Sequence, residues 1–149
     1  MAYVDGFLIP VPTKNLTAYR KMSQKAGAIW MEYGALDYKE CAGDDMVSEG
    51  MKRTFPRAAR ARSSETVVFS WIAYESKAER NRILKEVMAD PRLKMDAAAE
   101  IFDPKRMMYA GFNVIVDMLA APAPAKKAAP KKKSAAVKKK SVAKKKAKR

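Results

Sequence analysis

Near the start of the chain Tyr3, Val4, Phe7 and Ile9 cluster as β-forming residues. They predict a first strand over Tyr3 to Val11, stopped by Pro10 and Pro12 because proline has no N–H to give a ladder. Thr13 is placed to cap a following helix. From Leu16 the larger apolar residues recur at Tyr19, Met22, Ala26, Trp30 and Tyr33. That spacing keeps one face of a long helix inward, and Gly34 stands where a helix closes on a left-handed residue.

Leu36 to Ala42 predicts a second strand, with Leu36, Tyr38, Glu40 and Ala42 on one face and Asp37, Lys39 and Cys41 on the other. The pattern leaves open which face is inward. Gly43 to Ser64 is polar and irregular, with a short helix expected around Thr54 to Ala61. Thr66 to Tyr74 is almost continuous in β-branched and aromatic residues, the pattern of a central strand covered on both faces. Ser76 and Glu79 have capping-box spacing and open a second helix whose inward residues are Ala78, Ile83, Leu84 and Val87. Asp90-Pro91 ends it. Arg92 to Pro104 is a connection with a helical turn around Met95 to Ile101, and Met107 to Met118 is the last strand. The order β-α-β-β-α-β predicts an α+β ferredoxin-like fold, a four-stranded antiparallel sheet with both helices on one face. The other sheet face needs a cover, and a second copy of itself supplies one as an isologous homodimer.

Charge divides the chain. Of 149 residues, 31 are basic and 16 acidic, and the stretch from Ala120 to Arg149 holds twelve Lys, one Arg and no acid. Residues 1–119 are therefore a nearly neutral domain and 120–149 a polycationic tail. The tail has no aromatic residue and only two Val, too little apolar surface to offset the entropy of ordering its backbone, so it is expected to be disordered. Its cations are Lys126, Lys127, Lys131, Lys132, Lys133, Lys138, Lys139, Lys140, Lys144, Lys145, Lys146, Lys148 and Arg149. They are expected to bind DNA or RNA without sequence specificity, because lysine is a point charge and the tail has no base-reading element. Lys52, Arg53, Arg57, Arg60 and Arg62 either extend that footprint onto the body or form a solvated loop.

A lone Cys41 excludes an intramolecular disulfide, and the lack of His removes every Ser/His or Cys/His nucleophile pair. The N-terminus carries Asp5 without a basic leader, and no apolar run approaches the ~20 residues of a membrane span. The expected compartment is the cytoplasm, with the tail able to hold the protein at the nucleoid.

Candidate site residues in the body are Asp5, Glu40, Cys41, Ser70, Trp71, Asp103, Arg106 and Tyr109, none in a diagnostic pair. The catalytic candidates are Asp5, Cys41 and Tyr109. Asp5 is either a general base made more basic by burial or a strand-end carboxylate held by backbone donors or Arg. Cys41 would need Lys39 or an Arg to activate it, and otherwise only packs. Trp71 and Tyr109 also fit core or dimer-interface positions, and Met88, Met95, Met107 and Met108 fit gap-filling. No phosphate loop, metal cluster or carboxylate dyad is present, so no cofactor or metal is implied. Two readings follow: a nucleic-acid-binding protein acting through its tail, or a small-ligand carrier or cofactor-independent enzyme with a cleft between sheet and helices.

The segments MAYVDGFLIPVPTKNLTAYRKM, ETVVFSWIAYESKAERN, MADPRLKM and KRMMYAGF resemble the YbaA-like family of small, uncharacterised bacterial proteins over nearly all of the body. The resemblance implies a dimeric α/β barrel of the ferredoxin-like superfamily, with two sheets packed face to face. It implies no reaction, since proteins of this fold range from monooxygenases to haem enzymes. The tail, with its AKKAAPKKK repeats, lies outside that pattern and looks like the C-terminal tails of linker histones and of some bacterial histone-like proteins.

Overall fold

A computed structural model describes residues 2–47, 49–93 and 96–118. The basic tail, the expected boundary at 119 and Met95 lie outside the described residues. Four strands, β1 (Tyr3–Pro12), β2 (Asp37–Ala42), β3 (Glu65–Tyr74) and β4 (Met108–Asn113), form one antiparallel sheet in the order β2-β3-β1-β4. The helices α1 (Leu16–Glu32) and α3 (Lys77–Ala89) follow β1 and β3, and a short α2 (Phe55–Ala58) lies between β2 and β3. This is the ferredoxin-like α+β fold expected from the order of elements.

β1 runs through both prolines, contrary to the expected stop. Val67 turns its carbonyl away from Pro10 to accept from the Gly43 N–H, while Thr13 donates to Ser64 in the β1–β3 ladder. The odd residues of β1 therefore bond β3, and the nitrogens of Pro10 and Pro12 face the other side. There β4 pairs with β1 only as far as Leu8. A missing donor costs nothing where no acceptor waits.

The same alternation sets the faces. Tyr3, Asp5, Phe7, Ile9 and Val11 of β1 share the helix side with Val68, Ser70, Ile72 and Tyr74 of β3 and with Tyr38, Glu40 and Ala42 of β2. One core cluster joins Tyr3, Ile72 and Tyr74 to Ile29 of α1 and Ile83 and Val87 of α3. A second gathers Ile9, Val11 and Val68 around Tyr19 and Phe102. On the opposite face Leu8 and Val67 pack only on Ala59, Met46 and Ala61 of the β2–β3 connection. β3 is central, and within one chain its second face is covered at one end only.

Local details differ where tertiary contacts intervene. Thr13 does not cap α1; it begins a 3-10 turn, Thr13–Asn15, and Asn15 donates its amide to the Ile101 carbonyl at 2.7 Å. α1 ends at Tyr33 with Gly34 left-handed at φ 106°, as its position predicts. Half of the capping box forms: Ser76 Oγ accepts from the Glu79 N–H at 3.2 Å, whereas the Glu79 carboxylate turns to Arg82. Ala78 is exposed rather than inward, and Arg80 points to the sheet in its place. β4 ends at Asn113, short of Met118. Its register sets Val114 against Ala2, whose carbonyl accepts the Val114 N–H at 3.0 Å just beyond the paired residues.

Candidate functional site

A cleft of about 720 Å³ opens between α1 and β2, which is an edge strand. Leu16, Arg20, Gln24 and Met31 of α1 form one wall, and Tyr38, Glu40 and Ala42 of β2 with Val68 of β3 form the other. The cleft exists because α1 presents small residues to the sheet. Gly27 lies so close to Tyr38 that a Cβ there would stand 2.7 Å from the ring. The Tyr38 ring occupies the space that a side chain at position 27 would fill.

Of the charged residues lining this cleft, Arg20, Asp37, Lys39 and Glu40, only Glu40 is bonded by its tyrosine hydroxyls. Tyr19 donates to Oε2 and Tyr38 to Oε1, each at 2.8 Å, and Ser70, its register partner on β3, adds a third hydroxyl. Tyr19 is steadied by an edge-on contact with Phe102 at 5.7 Å between ring centres. Burial raises the Glu40 carboxyl above the ordinary glutamate range, an effect the three hydroxyls only partly offset. Both phenols are pushed up as well, first by burial and then by the Glu40 charge, so they remain neutral donors at any physiological pH. Glu40 joins none of the ion pairs among the described residues. It is a carboxylate solvated by hydroxyls alone.

A second carboxylate on the same sheet face is closed. Asp5, only 2% exposed, receives Arg80 Nε at 2.9 and 3.1 Å and the hydroxyls of Tyr74 and Tyr109 at 3.2 Å each. The Arg80 guanidinium also lies 5.7 Å from the Tyr109 ring centre, and Tyr109 stacks on Phe7. Asp5 is mid-strand rather than at a strand end, and side chains, not backbone donors, hold it.

Among the other candidates, Cys41 is exposed on the opposite face of β2. Trp71 donates its indole N–H to Asp37 at 3.0 Å on that face. Asp103 caps a 3-10 turn by accepting from the Lys105 N–H, and Arg106 pairs with Glu65. The structure thus brings Glu40 together with Ser70, and Asp5 with Tyr109, but joins neither pair to Cys41. Sequence reasoning missed Tyr19, Tyr38 and Arg80 as site residues. Signals for all three were present: Tyr38 is two residues from Glu40 on one strand face, Tyr19 heads the inward stripe of α1, and Arg80 shares a helical face with Ile83 and Val87. Among the described residues no group of acids and Cys is arranged to hold a metal ion, and no helix is long and apolar enough to cross a membrane.

The sheet face away from α1 and α3 carries exposed aromatic residues. Phe55 of α2 stacks on Phe69 at 5.8 Å, Phe69 meets Trp71 at 5.5 Å, and Phe112 lies on β4. Phe55, Phe69 and Phe112 are 54%, 41% and 56% exposed, and Ile115 beyond β4 is 93% exposed.

Fold and cleft together define a ferredoxin-like α+β domain with a hydroxyl-bound carboxylate beneath its first helix. The chain belongs to the DUF1428 family, described as "Protein of unknown function (DUF1428)", which matches residues 2–104. It is 44% identical over 117 residues to the uncharacterised protein YbaA of Escherichia coli K12, a match covering 78% of this chain and 99% of YbaA. YbaA is therefore a protein of about the length of this folded domain. Among solved structures, a NIPSNAP domain protein from Burkholderia xenovorans aligns with a TM-score of 0.45 at 15% identity over 80% of this chain and 98% of its own. SnoaB, a cofactor-independent oxygenase from Streptomyces nogalater, aligns with a TM-score of 0.47 at 10% identity over 78% and 96%.

Proposed function

We propose that the folded domain binds a small molecule in the α1–β2 cleft and that Glu40 is its working group. The observation that carries this reading is a half-buried carboxylate with neutral hydroxyl partners in a cleft whose volume falls within the range of about 300–1,000 Å³ typical of ligand sites. A carboxyl raised by burial can also exchange a proton with a bound compound, so the same site serves a carrier or a cofactor-independent proton-transfer enzyme. Native mass spectrometry of the full chain as purified is expected to retain a compound that Glu40→Gln releases. A compound held equally by Glu40→Gln would remove Glu40 from the site.

The exposed aromatic face supports a homodimer in which two such faces meet. Sedimentation is expected to give twice the chain mass for the native protein and a monomer for Phe69→Asp with Phe112→Asp. A native monomer at micromolar concentration would reject this arrangement.

A nucleic-acid role rests on a separate observation, thirteen cations and no acid in residues 120–149. Two tails per dimer would grip one polyanion bivalently. Binding to duplex DNA should weaken with salt, log K falling by about 0.9 per phosphate neutralised against log salt, and should vanish on truncation after Leu119. The 44%-identical YbaA, matched over 99% of its length within 117 residues, indicates that the domain suffices as a protein, so this truncation is a fair test. Equal binding by the truncated chain would reject the tail as the agent.

A further inference from the structure

The two carboxylates on the helix side of the sheet differ in one respect: Asp5 has its cation in Arg80, and Glu40 has none among the described residues. We propose that the cleft selects a protonated amine, whose ammonium takes at Glu40 the place that Arg80 takes at Asp5. This proposal rests on the cleft being a ligand site, as argued above.

An ionised carboxylate offers about four acceptor positions, and the hydroxyls of Tyr19 and Tyr38 use two, with Ser70 beside them as the register partner. Room remains for a further donor, and the tyrosine oxygens can accept further N–H groups. Hydroxyl donors orient the carboxylate but leave its charge uncompensated, and a buried charge without a counter-ion is the costly arrangement. A second anion would worsen it and a neutral ligand would leave it unchanged. An ammonium removes it. The partly exposed phenol ring of Tyr38, beside the carboxylate, is also a surface that attracts organic cations, and Leu16, Met31 and Val68 suit an alkyl chain.

The charged and titratable groups around the cleft are few. α1 contributes Tyr19 and Arg20, and β2 contributes Asp37, Tyr38 and Lys39, while β3 contributes only the neutral Ser70 and Val68. Asp37 and Lys39 pair with each other on the opposite sheet face. Arg20 is exposed at the rim and joins no ion pair among the described residues, so it disfavours a cation there only weakly. Because burial raises the Glu40 carboxyl, amine binding should strengthen as pH rises through the Glu40 titration and release a proton. A protonated amine has two sources, a free metabolite or a lysine of this chain's own tail.

Calorimetric titration with n-butylamine, n-butanol and butyrate, at pH 5 and pH 7, tests the proposal on the full chain and on the chain ended after Leu119. Butylamine is expected to bind about 10-fold or more tighter than butanol, more tightly at pH 7 than at pH 5, and about 10- to 100-fold more weakly to Glu40→Gln. Arg20→Gln, an exposed change that leaves the core intact, is expected to tighten butylamine a few-fold. Tighter binding by the shortened chain would support the proposal with the tail lysines as the source, and equal binding would support it with a free amine. Butanol or butyrate binding as well as butylamine would overturn the amine and leave the cleft reading standing. An unchanged butylamine affinity in both Glu40→Gln and Arg20→Gln would also overturn the amine. If none of the three probes binds either chain, the cleft reading falls as well.

Discussion

Asp5 and Glu40 lie on the same side of the same sheet, both beneath helices and both bonded by two tyrosine hydroxyls. Asp5 also has a guanidinium across both oxygens, whereas Glu40 has only a third hydroxyl and faces a cleft. The difference separates a structural charge from a chemical one. A paired carboxylate ties α3 to β1. A carboxylate solvated by neutral donors is left with a charge and a raised affinity for protons, which a partner from solution can exploit.

The sharpest way to break this comparison is to give Asp5 the condition of Glu40. Arg80→Ala leaves a buried aspartate without its cation and should cost about 3–5 kcal/mol in urea denaturation, partly recovered when Asp5→Asn is added. A loss under about 1 kcal/mol would mean that Asp5 is no structural anchor. Next, Gly27→Ala drives a methyl into the Tyr38 ring and should cost about 1–3 kcal/mol while displacing the hydroxyl that orients Glu40. Its combination with Tyr38→Ala should be less than additive.

Glu40→Gln probes the open carboxylate directly. A carboxyl whose folded value is raised contributes stability that is present below its unfolded value, near pH 4.5, and lost as pH rises through the folded value. The wild type should therefore lose ground to Glu40→Gln as pH rises through the window above 4.5. Parallel melting curves across that window would contradict a raised carboxyl.

The smallest effect belongs to a third carboxylate, Asp90 at the end of α3. Arg92 holds it down to about 2, with Tyr33 also donating at 3.1 Å. A depressed acid contributes stability above its unfolded value, and that contribution should fade as pH drops from about 3.8 to about 2. Asp90→Asn should flatten this acid limb of the stability curve and lower the plateau above pH 5 without changing its slope.

The element order and the inward stripe of α1 were legible because apolar spacing records which side chains meet the core. What was not legible depends on partners distant in the chain. Pro10 within β1 is tolerated because β4 pairs with β1 only as far as Leu8, and the extent of β4 is set by that pairing with the first strand of the chain. Ala78 and Arg80 were interchangeable until Asp5, 75 residues away, required the arginine. At the cleft, Glu40 was among the candidates, but its meaning lay in Tyr19 on a different element. Periodicity turns Tyr19 inward but leaves the face of Glu40 open; the packing of Gly27 against Tyr38 makes them converge.

The two prolines of β1 have an effect beyond their own strand. Past Leu8 the sheet has a short margin with no strand paired to it, although Ile9, Pro10 and Val11 are buried there; an unpaired margin is the kind of edge on which strands from other molecules can nucleate a growing stack. At positions 10 and 12 that margin offers carbonyls and no donors. An intruding strand would find half of its ladder missing, so the domain guards against self-templating with the residues that looked, on first reading, like the end of its first strand.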